Sequence, residues 1–140
     1  MAITACITNS AKQEFLAGIH LAADVYKIAL YTPSATLDKN TTAYSVTNEV
    51  GNSGTYAAGG AILATYTAAL FTDTATIDWT VDPVWTGATI AAAGALIYNS
   101  SRSDKAIAVL DFGGTITSTN GTFTVTLPTA GAATAVIRIA

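Results

Sequence analysis

The chain has 140 residues, a formal net charge of −3 and a charged fraction of 11% against a hydrophobic fraction of 51%. So few charges, where ~25% is usual, give a weakly repulsive surface suited to packing against neighbours, and six dispersed Lys and Arg on an acidic chain exclude phosphate neutralisation as the main binding mode. A single His, His20, and a single Cys, Cys6, leave little from which to build a nucleophile–base pair or a metal cluster, while the length suffices for one core without disulfides.

The sequence reads as one β-rich structural domain over residues 1–140, with an N-terminal arm and short helix over 1–24 and a β-sandwich over 25–140. Met1 to Thr8 is apolar and alternating. It adds as a strand either to a neighbouring molecule or to its own sheet. Cys6, unable to form an internal disulfide, is expected as a small, half-buried hydrophobe. Ser10-Ala11-Lys12-Gln13 fits a capping box, with Ser10 as N-cap, and predicts a helix from Ala11 to Ala17 ended by Gly18. Val25 to Tyr31, aromatic and β-branched, predicts a strand with Tyr26, Ile28 and Leu30 on one face, stopping at Thr32-Pro33-Ser34. From Ser34 to Gly60 the chain is irregular, with paired glycines and Asn-rich turns.

Strand character returns from Ala61 to Phe71 and from Thr74 to Val81, joined by a tight connection at Thr72-Asp73, with Ala75, Ile77, Trp79 and Val81 alternating against polar neighbours. Pro83 and Gly87 bracket a bend carrying Trp85. Thr89 to Tyr98 and Lys105 to Phe112 form two more strands joined by a polar loop. After the turn dipeptide Asn120-Gly121, Phe123, Val125 and Leu127 face one way and Thr122, Thr124 and Thr126 the other. Thr134 to Ile139 forms the last strand. About seven or eight short strands with regular turn signals predict an all-β fold, an antiparallel β-sandwich or a jelly-roll-like barrel with one short N-terminal helix.

Chemical constellations are sparse. Asp78 with Asp82, or Asp73 with Asp78, is the best carboxylate pair for acid–base work, with Trp79 and Trp85 beside it, yet Trp79 falls on the apolar register of its strand. His20 has no second ligand at metal spacing, and its place after the helix suits an imidazole near a C-terminal dipole. Gly51 to Gly60 and Gly113-Gly114 precede no Lys-Ser/Thr pair, so they read as turns rather than nucleotide loops. Arg102 and Lys105 flank Asp104 in what reads as a solvated loop. No catalytic residue, cofactor or metal is expected, and no enzyme activity. The longest apolar run, Gly87 to Tyr98, is short of the ~20 residues of a membrane span, and Met1 to Thr8 has no basic leader, so a soluble protein made in the cytoplasm is expected.

The segments Lys27-Ile28-Ala29-Leu30-Tyr31-Thr32-Pro33 through Tyr44, Gly94-Ala95-Leu96-Ile97-Tyr98-Asn99, Val109-Leu110-Asp111-Phe112-Gly113 and Asn120-Gly121-Thr122-Phe123-Thr124-Val125, with the ending Ile137-Arg138-Ile139, resemble small virion structural proteins of tailed bacteriophages. The likeness covers most of the chain from Tyr26 onward and transfers no site residues. It implies a capsid decoration, or cement, protein that binds the major capsid protein as a homo-oligomer and stabilises the head. The alternative within the class is a small tail or baseplate component, and in either case the protein would reside in the virion.

Candidate assembly contacts are Ile3 and Ile7 in the arm and Thr36, Leu37, Tyr44, Val46 and Tyr56 in the Thr32 to Gly60 loop, which is too long for a plain connection. A carbohydrate- or receptor-binding module is the competing reading. It rests on Trp85 as an exposed aromatic platform.

Overall fold

The computed structural model describes residues 2–131 and 133–139, so Met1, the first residue of the predicted arm, lies outside it. The elements in chain order are β1 (Cys6–Ile7), α1 (Asn9–Leu16), β2 (Tyr26–Tyr31), β3 (Ala61–Ile62), β4 (Tyr66–Phe71), β5 (Thr74–Trp79), β6 (Val84–Asn99), β7 (Lys105–Thr124) and β8 (Ile137–Ile139), with a 3-10 turn at Ser100–Arg102 between β6 and β7. They form two open antiparallel sheets, β1-β7-β6-β2-β3 and β4-β5-β8. Of the sandwich and the jelly-roll-like barrel expected from the sequence, the two sheets agree with an all-β sandwich carrying a short N-terminal helix.

Burial on both faces explains why β2 reads as a continuous apolar run. Tyr26, Ile28 and Leu30 point into the main core between the sheets, with Trp79, Ile90, Ile97, Phe123 and Ile137. Ala29 and Tyr31 point the other way, into a second cluster with Leu96, Tyr98, Ala106 and Val109. That outer face is covered by the N-terminal arm and the long loop, which supply Ile3, Cys6, Ala35, Leu37 and Tyr44. The molecule thus has three layers: the small sheet, the large sheet and an irregular cover.

The helix begins two residues earlier than the capping-box reading, because Thr8 and not Ser10 is the N-cap. Its Oγ1 accepts from the Ala11 amide at 3.2 Å and donates to the Ala106 carbonyl of β7 at 3.2 Å, so the cap that wins is the one also tied to the sheet. Ala17 closes the helix and Gly18 follows at φ +71°.

The strands of the second half are longer than the sequence suggests. Gly87 lies inside β6 and Gly113-Gly114 and Asn120-Gly121 lie inside β7, where the register shifts against the partner strand. These residues make bulges rather than turns: Gly87 takes φ +58° and Asn120 φ +44°. The bulge at Gly87 switches the inward side chains of β6 from the odd residue Trp85 to the even residues Ala88, Ile90 and Ala92. A second shift between Ala92 and Gly94 switches them back to Ala95 and Ile97. The predicted strand from Ala61 to Phe71 is instead broken at Thr65, which has φ +61°. Thr72-Asp73 is a two-residue hairpin connection, as expected.

Candidate functional site

The arm and the loop turn inward. Among the described residues of the arm, Cys6 and Ile7 pair with Val109 and Ala108 of β7, and Ile3 bridges Leu37. Ile3 is half-buried over Gly94, where a Cβ would meet its Cγ2 at 2.7 Å. The arm therefore belongs to its own sheet. Leu37 is buried, and Tyr44 stacks on Tyr98 with ring centroids 4.7 Å apart.

Glu49 pins the loop. It accepts from Tyr44 Oη at 2.5 Å, from Tyr56 Oη at 2.7 Å and from the Gly59 amide at 2.7 Å. Tyr98 Oη donates to the Gly59 carbonyl at 2.6 Å, and burial, with the charges of Asp104 and Glu49, pushes its phenol up to about 12. Tyr56 is buried and its oxygen also accepts from the Leu30 amide at 2.9 Å. Leu37, Tyr44 and Tyr56 are thus cover and core, and the loop is long because it roofs a sheet face. Of the residues singled out as assembly contacts, Thr36 and Val46 stand in solvent, Val46 being 64% exposed.

Trp85 is corrected outright. It is 2% exposed, packed between Tyr56 and Phe123 with ring centroids 5.3 Å and 6.3 Å away, so it offers no platform to a sugar. The bulge at Gly87 and the roof supplied by Tyr56 turn it inward; neither is visible from the neighbouring Pro83.

His20 sits in a polar cluster that joins the helix to the β6–β7 connection. Its Nδ1 accepts from Asn99 Nδ2 at 2.9 Å, which leaves Nε2 to donate to Glu14 Oε1 at 3.3 Å. Lys105 Nζ lies 2.8 Å from Glu14 Oε2, and Asp24 is held by Arg102, Asn99 and the Leu21 amide. Burial works against ionisation of Glu14, but the bonds from Lys105 and His20 prevail and hold it below its ordinary value. Arg102, first among its partners, keeps Asp24 well below the usual carboxylate range. The supposedly solvated loop is a clamp, and both imidazole nitrogens are committed to it.

Asp78 and Asp82 share a cavity of about 260 Å³ with Trp79 and the Thr126–Ala130 segment. Asp82 Oδ1 accepts from the Leu127 amide at 2.8 Å. Asp78 is 2% exposed and its Oδ1 accepts from the Trp79 amide at 2.9 Å, while its buried Oδ2 and the buried Trp79 indole N–H have no hydrogen-bond partner among the described residues. Burial, reinforced by the Asp82 charge, raises the Asp78 carboxyl above its ordinary value, against the Trp79 and Val136 amides. Among the described residues no group of three or more His, Cys, Asp or Glu is placed to hold a metal ion, and no helix is long and apolar enough to cross a membrane.

What sequence reasoning missed is apolar surface. One face of β4-β5-β8 carries a groove of about 350 Å³ lined by Tyr66, Ala68, Leu70, Ala75, Ile77, Ile137 and Ile139. Ile137 and Ile139 also line an adjoining groove of about 200 Å³ with Ile7, Phe15 and Leu16 of the helix side. Leu16 is 89% exposed, Leu70 71% and Ile139 59%. The signal was present in Ala68-Ala69-Leu70-Phe71, a strand end apolar on both faces beside a hairpin tip. Comparison with protein-family models, with curated proteins and with solved structures finds no match.

Proposed function

We propose that the protein is a virion structural subunit of a tailed bacteriophage, a capsid decoration protein that binds the major capsid protein and stabilises the head. The observation that carries this reading is the pair of adjoining apolar grooves across β4-β5-β8 and α1, in a chain with a charged fraction of 11%. Contiguous exposed apolar surface of this kind marks a protein–protein contact, and a surface poor in charge loses little hydration when packed. The segment likeness to small virion proteins supplies the identity of the neighbour. The arm and the loop, once their side chains are assigned to the cover, are not the contact surface in this reading; the groove face is.

Co-sedimentation with assembled capsids lacking the protein tests it. Saturation at a fixed ratio to capsid subunits, with shells more resistant to heat, is the expected result, and Leu16→Ser with Ile139→Ser should abolish it without unfolding the chain. Absence of binding to shells overturns the head assignment and moves the test to purified tails.

A further inference from the structure

We propose that β4 is a homodimerisation edge, through which two copies join their small sheets by antiparallel β4–β4 pairing. The strand order β4-β5-β8 leaves β4 bonded on one side. A two-residue loop requires that Phe71 and Thr74 be the pair exchanging both backbone hydrogen bonds. Alternation from there turns the N–H and C=O groups of Thr67, Ala69 and Phe71 toward β5, and those of Tyr66, Ala68 and Leu70 outward. None of these outward groups has a partner among the described residues.

Open edges are ordinarily guarded by shortness, charge, proline or a bulge. The other edges among the described residues obey: β1 and β3 have 2 residues each, β8 has 3 with Arg138 at its centre, and the side of β7 that β1 leaves uncovered beyond Val109 carries Asp111 and is bent by the bulges at Gly113 and Asn120. Among the described edges, β4 combines 6 residues, an unbroken register, no charge and no proline. An unguarded edge beside an uncovered apolar face is built to be paired.

A second copy fits it. With a two-fold axis through Ala68, Tyr66 lies opposite Leu70 of the second copy, and Ala68 opposite Ala68 of the second copy. This register sets every outward group against an outward group, so that each facing pair exchanges two hydrogen bonds. Leu70, 71% exposed in the monomer, comes to lie against the Tyr66 ring of the second copy, and the paired alanines let the backbones approach. Charge favours the same edge. Two molecules of net charge −3 meet along an uncharged strand, and Asp73 at each hairpin tip lies at the opposite end of the joined sheet from its counterpart. The pairing does not depend on the virion reading, because it needs no shell.

Sedimentation velocity of the full chain from micromolar to near-millimolar concentration tests it. A reversible monomer–dimer equilibrium is expected, since one strand pair and a narrow apolar strip fall at the small end of specific interfaces. Ala68→Pro removes the central outward N–H, and Leu70→Lys adds the missing guard at an exposed site. Each should weaken the dimer at least tenfold while leaving the urea midpoint of the monomer nearly unchanged. Amide exchange at Ala68 and Leu70 should slow as concentration rises. Should Ala68→Pro fail to fold, Leu70→Lys decides. A monomer throughout the range, or a dimer indifferent to Leu70→Lys, overturns the proposal. If the chain is monomeric throughout, the homodimer is wrong whatever Leu70→Lys does to capsid co-sedimentation, because Leu70 also lines the groove face assigned to the shell.

Discussion

Arg102 holds Asp24 at two points, Nε to Oδ2 at 2.9 Å and Nη2 to Oδ1 at 3.1 Å, and so fastens the β6–β7 connection to the segment that follows the helix. Asn99 donates to the same Oδ2 at 2.9 Å, which ties the grip to His20 and Glu14.

The grip sets the acid limb of stability. Asp24 titrates lower in the folded chain than in the unfolded one, so its contribution is complete above the unfolded value near pH ~4 and declines as the pH falls through the folded value. Glu14, also held low, adds the same sign. The urea midpoint should therefore fall between pH 7 and pH 3, and Asp24→Asn should lower it at pH 7 while flattening that fall. An equal slope in wild type and variant contradicts the role given to Asp24.

Asp78 has the opposite sign. Its folded value lies above the unfolded one, so its protonated form favours the folded state and stability is lost as the pH rises through the raised value. Asp78→Asn keeps the oxygen that accepts from the Trp79 amide and removes the charge. A gain on the order of 1 kcal/mol, or a few degrees in Tm, is expected at pH 7 and should vanish near pH 3. A destabilised variant at pH 7 contradicts the net cost given to burying this charge against the Trp79 and Val136 amides.

Gly60 and Gly18 both hold a positive φ, +77° and +71°, but differ in what surrounds them. A Cβ at Gly60 would stand 1.8 Å from the Ile28 carbonyl oxygen, whereas one at Gly18 meets nothing within 4 Å among the described residues. Gly18→Ala should cost about 1 kcal/mol for the backbone alone. Gly60→Ala should cost several times that, roughly 3 kcal/mol or more, by pushing β3 off β2. Chemical denaturation of the two variants checks the ratio.

Trp85→Ala should cost about 3–5 kcal/mol, since it opens a hole between Tyr56 and Phe123. Both tryptophans are buried, so native fluorescence should be blue-shifted and poorly quenched by acrylamide. Ready quenching in the folded protein would place one of them in solvent and reopen the glycan reading.

The β content, the helix near residue 10, the Thr72-Asp73 hairpin and the inward row Phe123, Val125 and Leu127 were legible because each rests on local pattern: period two, a cap, or a short polar break. Gly87, Gly113 and Asn120 were misread because a bulge and a turn demand the same positive φ. Only the partner strand tells them apart. Leu37 and Tyr56 looked like contact residues since a long loop carries no local sign of the sheet face it roofs. The exposed face near Leu70 escaped for the converse reason: an apolar run predicts a strand but not how much of it the core will cover.

The pairing of Ile77 with Ile137 joins distant stretches of chain, while β6 and β7 meet across a short connection. Closing a long loop must be met in entropy before that contact gives any return. On this ground the β6–β7 ribbon is expected to form first and β8 to dock last. Until it docks, the small sheet is a lone hairpin with a second bare edge along β5. Refolding at high concentration therefore passes through the stage at which this chain is most open to wrong partners, and dilution should improve its recovery.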